Sequence, residues 1–230
     1  DTVNHEILIK KLEYFGFDPS SIAFFRSYLS NRQQQCKING FSSDFLFTTC
    51  GVPQGTILGP LFFLIYVNDM PNCLKNCTAR LYADDTTLSV SGSHTSVVEQ
   101  LLNADLRNVS SWLIANKLTL NVLKTVYMIV GSRQRMATME GDLNLKVNEM
   151  YLNRVQFAKC LGVQIDENLT WEKHTEYIIK KVVCNLSILR KVSSVLTLDN
   201  KITIYRSIIE PYFNYCCLVW DSICETLTTK

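Results

Sequence analysis

The sequence predicts an α+β fold, with an antiparallel sheet and packed helices over residues 1–167 and a helical region over residues 168–230. Up to about Asp166, short runs rich in β-branched and aromatic residues alternate with amphipathic helical patterns. From Trp171 onward, apolar residues recur at helical spacing alone. We find no internal repeat and no low-complexity segment, which excludes a repeat architecture.

Two helices are predicted at the start of the chain. Apolar residues from Val3 to Phe15 fall on one helical face, and Gly16 ends that pattern. The pair Asp18-Pro19 is typical of a helix N-terminus, because Asp caps the first turn and Pro fits its first position. The second helix is therefore expected to begin there.

Strands and a stiff turn are predicted next. Residues 33–39 and 45–50 have strand-like composition on either side of Gly40. Residues 51–55, Gly-Val-Pro-Gln-Gly, predict a stiff turn, and Pro60 then opens an apolar helix.

An acidic pair lies between two further strand-like segments. Residues 81–83 and 86–90 favour β-structure, and Asp84-Asp85 between them predicts the two-residue connection of a tight hairpin. Two adjacent carboxylates repel each other, and a hard divalent ion such as Mg²⁺ relieves that repulsion. A solvated turn is the alternative for a bare acidic pair, but here apolar β residues on both sides would present the pair rigidly. A rigid pair of carboxylates suits metal-dependent phosphoryl transfer.

The remaining elements are predicted from capping signals and periodicity. Ser96 to Glu99 matches a capping box, which predicts the start of a long amphipathic helix. A β-branched strand is expected at 125–130, a polar loop at 133–141 and several short strands at 143–165.

Composition excludes several classes of protein. Hydrophobic residues make up 47% of the 230-residue chain, which excludes a disordered polymer. Lys and Arg number 23 against 21 Asp and Glu, so a strongly basic nucleic-acid coat is excluded as well. The longest apolar run, residues 57–67, is shorter than the roughly 20 residues needed to span a bilayer, so no membrane association is expected.

The nine cysteines are expected to be free intracellular thiols. Nine is odd, and no secretory signal peptide is visible at the polar N-terminus. Cys73 and Cys77 have the spacing of half a zinc site, but no matching Cys or His pair follows, which favours buried or loop thiols.

Five segments together resemble the motifs of reverse transcriptases, in order and in spacing. Tyr-Ala-Asp-Asp at 82–85 resembles the catalytic motif, and residues 49–60 resemble the template-and-nucleotide loop. Residues 1–5 resemble the end of the first aspartate motif, residues 116–125 the lysine-bearing segment and residues 159–162 the primer grip. The details look most like the enzymes of non-LTR, LINE-type retrotransposons.

The resemblance implies an RNA-directed DNA polymerase with a palm at 1–167 and a helical thumb at 168–230. Its partners would be an RNA template, a DNA primer and dNTPs, with Mg²⁺ or Mn²⁺ as cofactor, in the nucleus or cytoplasm. Asp84 would be the principal metal ligand with Asp85 beside it, and Lys124 would lie near the leaving pyrophosphate. The other implied contacts are Pro53, Gln54, Gly55 and Tyr82 for nucleotide and template, and Cys160, Leu161 and Gly162 for the primer grip.

The sequence also departs from the family pattern. The family's first catalytic aspartate would lie a short way upstream of Asp1, so one of three metal-binding carboxylates is expected to be missing, along with the fingers and the endonuclease. Cys160 stands where the family usually has Tyr. We therefore expect a fragment that is inactive alone. The alternatives are a decayed remnant of an element or a co-opted structural or nucleic-acid-binding module. Taken singly, the glycines of 51–55 would be an ordinary turn and Lys124 a surface lysine.

Overall fold

A computed structural model describes residues 2–138 and 141–220 of the chain. These residues form helices and small two-stranded sheets, so the prediction of an α+β fold is confirmed. The chain divides into two compact units. The first contains Asp1–Thr125 and Asp142–Leu152, and the second contains Val126–Gly141 and Asn153–Lys230. The predicted palm–thumb boundary near residue 167 stays a prediction.

Four helices build the first unit, and side-chain caps start two of them. They are α1 (His5–Tyr14), α2 (Pro19–Leu29), α3 (Leu58–Val67) and α4 (Thr95–Ala115). The Asn4 side chain accepts a hydrogen bond from the Ile7 N–H, and Asp18 accepts from the N–H groups of Ser20 and Ser21. The two predicted N-terminal helices are confirmed.

The strands of the first unit form antiparallel pairs. The pairs are β1 (Gln33–Gln34) with β4 (Leu46–Phe47), β2 (Lys37–Ile38) with β3 (Phe41–Ser42), β5 (Thr78–Tyr82) with β6 (Asp85–Ser89), and β8 (Lys146–Val147) with β9 (Met150–Tyr151). Only β5 and β6 exceed two residues, so the predicted strands at 33–39 and 45–50 are shorter than expected. A short 3-10 helix, Met70–Cys73, leads from α3 toward β5.

The core of the first unit lies where α1, α2 and α3 meet. Leu8, Leu12, Leu29, Phe62 and Tyr66 are each at most 2% exposed. Full burial of a side chain of this size stabilises the fold by about 1.5–3 kcal/mol. The packing of these three helices therefore stabilises the first unit.

A polar node inside this core joins α1, α3 and the end of α4. The Tyr66 hydroxyl donates to the Asn116 carbonyl at 2.6 Å. The Lys11 ammonium donates to the Tyr66 carbonyl and to Asp69, both at 2.6 Å, and lies over the Trp112 ring. Because these polar groups find partners, the node joins the helices at a smaller desolvation cost than unpaired groups would carry.

The second unit combines two strand pairs with five helices in the part of the chain described. The strands are β7 (Val126–Tyr127) parallel to β10 (Asn153–Arg154), and β11 (Phe157–Cys160) antiparallel to β12 (Val163–Asp166). The helices are α5 (Arg133–Ala137), α6 (Glu172–Val192), α7 (Leu198–Ile208), α8 (Glu210–Asn214) and α9 (Cys217–Trp220). Buried Ile178, Val182 and Ile209 form its helical core.

Three local predictions are corrected by the structure. The capping box at 96–99 is wrong, because α4 begins at Thr95 and Glu99 instead accepts a hydrogen bond from the Asn144 N–H at 2.8 Å. The segment at 133–141 contains the short helix α5, which is started by Ser132 accepting from the Arg135 N–H. The strand expected at 125–130 is limited to Val126–Tyr127.

The eight described cysteines are all free thiols, as expected; Cys224 lies outside the described residues.

Among the described helices, none combines the length and the apolar character that a membrane-spanning segment needs.

Replacing Tyr66 by Phe should destabilise the fold by about 1–2 kcal/mol, because the Asn116 carbonyl loses its buried donor. Urea denaturation at pH 7 measures the effect. Tyr14→Phe on α1 is the matched control, since Tyr14 is 86% exposed and its hydroxyl is solvated. Equal unfolding free energies for the two variants would show that the buried hydrogen bond contributes nothing.

Candidate active site

The acidic pair lies at the tip of the hairpin formed by β5 and β6. Tyr82 pairs with Asp85, so the two-residue turn is Ala83-Asp84, and Asp85 is the first residue of β6. The hairpin is confirmed, but its turn lies one residue earlier than predicted. Ala83 has a φ of 51°, the sign that a type II′ turn requires at its first central residue. A non-glycine residue in that region costs about 1–3 kcal/mol, so the surrounding hairpin must impose it.

Both carboxylates are accessible at this tip. Asp84 and Asp85 are exposed, and Tyr82 beside them is 66% exposed. Among the ion pairs of residues 2–138 and 141–220, none involves Asp84 or Asp85. Both carboxylates are therefore open to solvent and accessible to a ligand.

The base of the hairpin is held by the buried carboxylate of Asp105 on α4. Asp105 is 0% exposed and accepts hydrogen bonds from the backbone N–H groups of Lys75, Asn76 and Cys77, at 3.1, 2.8 and 2.7 Å. These three residues immediately precede β5. Burial by itself raises the pKa of Asp105, but the hydrogen bonds outweigh it and hold the pKa below its ordinary value. By accepting these three hydrogen bonds, the ionised carboxylate holds in place the residues from which β5 starts.

Burial and the charge of Asp105 together raise the pKa of two neighbouring thiols. Burial, together with the thiol's hydrogen bond to Asp105 and that residue's charge, raises the pKa of Cys77 to about 12. Burial and the charge of Asp105 also raise the pKa of Cys73.

The turn at 51–55 is held at its start by backbone contacts to α1 and the residues before it. The Gly51 N–H donates to the Val3 carbonyl at 2.7 Å, and a His5 ring nitrogen lies 2.7 Å from the Gly51 carbonyl. Gly55 has a φ of 77°, which only glycine adopts without strain, and a Cβ there would meet no atom within 4 Å. Pro53 is partly buried, whereas Gln54 and Gly55 face solvent. The open space at Gly55 leaves its backbone free to approach a ligand.

Lys124 lies in a separate turn near the end of the first unit. Its N–H donates to the Asn121 carbonyl at 3.1 Å, and its side chain is exposed. None of the hydrogen bonds and ion pairs of the described residues joins Lys124 to Asp84 or Asp85. The predicted lysine is therefore positioned by its own turn and not by the acidic pair.

The predicted primer-grip residues form the β11–β12 turn in the second unit. Cys160 pairs with Val163, which leaves Leu161-Gly162 as a two-residue turn with φ values of 46° and 93°. Positive φ at both central residues is the pattern of a type I′ turn, in which glycine is favoured. The short strands expected at 143–165 therefore include a tight hairpin here, while contact of its turn with a primer stays a prediction.

The predicted site residues therefore fall into separate groups, each on its own turn or hairpin. Tyr82, Asp84 and Asp85 share one hairpin, and Pro53 to Gly55 share one turn of the same unit. The residues that sequence reasoning missed are Asp105 and Tyr215, which contact the two hairpins from distant positions. Asp105 had a weak signal, an acidic residue beside Leu106 on the apolar face of a helix. Nothing in the sequence pointed to Tyr215.

The donor set at the tip fits a divalent ion in part. Mg²⁺ is commonly held through one or two carboxylates together with substrate phosphates, and Asp84 and Asp85 supply such a pair. No cluster of three His, Cys, Asp or Glu side chains able to hold a metal ion occurs among the described residues. The tip therefore provides two of the three carboxylates expected for a two-metal site.

Comparison with known proteins identifies the family. Residues 1–177 match the family described as Reverse transcriptase (RNA-dependent DNA polymerase), and the chain belongs to that family. A probable RNA-directed DNA polymerase from transposon X-element of Drosophila melanogaster is 26% identical over 93% of this chain and 23% of its own length. The RNA-directed DNA polymerase from mobile element jockey of Drosophila funebris is 26% identical over 100% of this chain and 26% of its own length.

A third relative extends the match to another group of elements. A retrovirus-related Pol polyprotein from type-1 retrotransposable element R1 of Nasonia vitripennis is 26% identical over 62% of this chain and 43% of its own length. The predicted resemblance to reverse transcriptases of non-LTR retrotransposons is therefore confirmed. The chain spans about a quarter of the length of the two Drosophila relatives described above.

Asp105→Asn should loosen the hairpin and cost about 1–3 kcal/mol, because the amide cannot accept from all three backbone N–H groups. The pKa of Asp105 is lowered in the folded state, so its contribution is present above about pH 4 and is lost as the pH falls through the folded-state pKa. Urea denaturation between pH 3 and 7 tests this expectation, together with hydrogen exchange at 78–89.

The exposed Asp44→Asn is the control for this experiment. The wild type and the control should lose stability more steeply than Asp105→Asn as the pH falls below about 4. Parallel pH profiles for all three proteins would refute the assigned role of Asp105.

Proposed function

We propose that this chain is the palm, residues 1–167, and the helical thumb, residues 168–230, of an RNA-directed DNA polymerase of a retrotransposon. Its reaction is two-metal nucleotidyl transfer onto a DNA primer paired with an RNA template. The observation that carries the proposal is the exposed Asp84-Asp85 pair on a tight hairpin within a match to the reverse transcriptase family. The relatives' names, RNA-directed DNA polymerases of mobile elements, support the choice of substrate.

The reaction joins a dNTP to the primer end. The primer 3′ oxygen forms a bond to the α-phosphorus, the bond from that phosphorus to the bridging oxygen breaks, and pyrophosphate leaves while the hydroxyl proton passes to solvent. Asp84 would hold the divalent ion, with Asp85 supporting it from the first position of β6. When bound, Mg²⁺ or Mn²⁺ supplies Lewis-acid activation of the hydroxyl and stabilises charge on the leaving group.

The surrounding residues position the substrates. Gln54 offers both a donor and an acceptor to the nucleotide, while the open backbone at Gly55 lets the template come close. Pro53 stiffens the same turn, and exposed Tyr82 presents an aromatic face beside the acidic pair. Lys124 acts as a cation or proton donor toward the pyrophosphate.

The second unit contributes the contacts to the primer and the duplex. Cys160, Leu161 and Gly162 form the turn that holds the primer end. Lysines and arginines on α6 and α7 contact backbone phosphates, which fixes position without reading sequence. Fingers and endonuclease regions of a longer polyprotein would complete the machinery, at work in the nucleus or cytoplasm.

We further propose that these 230 residues are catalytically incomplete and inactive alone. The support is the acidic tip, where Asp84 and Asp85 occur without a third His, Cys, Asp or Glu ligand among the described residues. Metal placement is most of what the protein supplies in this chemistry, so the loss of one carboxylate is severe. The same observation favours a second function, duplex binding by a co-opted or decayed module without catalysis.

Asp84→Asn should abolish divalent-ion binding at the tip and reduce any primer extension by at least about 100-fold. Mn²⁺ binding is followed by electron paramagnetic resonance, and extension is followed on a DNA primer annealed to an RNA template. Asp44→Asn serves as the matched control, because it removes an exposed carboxylate elsewhere in the same unit.

The same assays separate the candidate functions. Robust polymerisation by the 230-residue chain that disappears in Asp84→Asn would contradict the proposed inactivity of the chain alone while supporting the polymerase assignment. Mn²⁺ binding that is equal in wild type and Asp84→Asn, together with unchanged hybrid binding, would favour the non-catalytic module.

A further inference from the structure

Tyr215 contacts the tip of the β11–β12 hairpin from the helical part of the same unit. Its hydroxyl donates to the Leu161 carbonyl at 2.5 Å, across 54 residues of sequence. Its ring lies where a side chain at position 162 would begin, because a Cβ built on Gly162 would be 3.2 Å from the ring. Tyr215 therefore both bonds to the turn and fills the space beside it.

A chain of further contacts ties Tyr215 to the second strand of the same hairpin. The Trp220 indole N–H donates to the Tyr215 carbonyl at 3.0 Å. The Trp220 ring packs edge-to-face on His174 of α6, with centroids 5.5 Å apart. His174 is 3% exposed and accepts from the Gln164 N–H of β12 through its Nδ1, at 3.4 Å. The hairpin is thus held at its tip and along its second strand by one continuous set of side chains.

The turn needs such support because of its conformation. Leu161 has a φ of 46°, a region that non-glycine residues rarely adopt. Leu161 is also 41% exposed, so its own side chain contributes little packing to hold that geometry. The hydrogen bond from Tyr215 acts on the carbonyl of this same residue.

The geometry points to Tyr215 as a positioning residue that fixes the Leu161-Gly162 turn against helices α8 and α9, and so sets where a primer 3′ end rests. This inference depends on the proposed function for its primer part, since it takes the β11–β12 turn as the primer grip. Tyr215 touches the turn rather than the reacting atoms. Its effect should therefore appear in the placement of the primer end and not in overall affinity for the hybrid.

The experiment compares Tyr215→Phe with Tyr205→Phe in the full 230-residue chain. Both variants remove one hydroxyl from a half-exposed tyrosine of the second unit, and the Tyr205 hydroxyl makes no hydrogen bond to the described residues. Hydrogen exchange of the amides at 161–164 reports on the turn. A DNA primer carrying 2-aminopurine at its 3′ end, annealed to an RNA template, reports on primer placement, and fluorescence anisotropy gives the Kd.

In Tyr215→Phe we expect amide exchange at the turn to rise at least tenfold and the 2-aminopurine response to fall by half or more. The Kd should stay within threefold of wild type, and Tyr205→Phe should match wild type in all three measurements. Exchange rates that are the same in both variants would overturn the inference.

Two other outcomes separate this inference from the proposed function. Faster exchange with an unchanged 2-aminopurine response would overturn the primer role of Tyr215 and leave the polymerase assignment intact. A wild-type chain that binds no hybrid would overturn the proposed function and the primer part of the inference together. The exchange measurement alone would then decide whether Tyr215 holds the turn.

Discussion

The candidate site depends on one buried carboxylate. Asp105, fully enclosed on α4, accepts three backbone N–H groups from the residues that lead into β5. An ionised group without these donors could not stay buried, and the three N–H groups without the carboxylate would be left unsatisfied. The buried carboxylate and the three N–H groups therefore each depend on the other for their hydrogen bonds. The hairpin that presents Asp84 and Asp85 is attached to a long helix by this exchange, while its exposed tip stays open to solvent.

The β5–β6 and β11–β12 hairpins both have a tight turn, but different side chains hold them in place. Each has a two-residue turn that includes a non-glycine residue at positive φ, Ala83 in one and Leu161 in the other. In each, the support comes from a side chain far away in sequence, Asp105 below the first hairpin and Tyr215 at the tip of the second. Both turns are short and strained, and long-range polar contacts hold them in place.

Local sequence signals predicted the structural features that depend on residues close together in the chain. Asn4 and Asp18 cap their helices because capping acts over three residues, and the hairpin strands follow from composition. The hairpin turn was misplaced by one residue because Ala83 gives no sign that it adopts a left-handed conformation. Glu99 and Tyr215 bond to partners 45 and 54 residues away, which only the assembled fold brings near. The motif match supplied the family, since isolated residue patterns would have left the acidic pair an ordinary turn.

The raised pKa values of the thiols beside Asp105 affect how readily these thiols are oxidised or alkylated during storage. A protonated thiol reacts slowly with oxidants and alkylating agents, so Cys77 and Cys73 should resist chemical damage at neutral pH. Four cysteines are exposed to solvent, so oxidants and alkylating agents would reach them first: Cys36, Cys50, Cys184 and Cys217. Intermolecular cross-linking on storage would then begin at the surface, and the base of the acidic hairpin would be among the last regions to be affected.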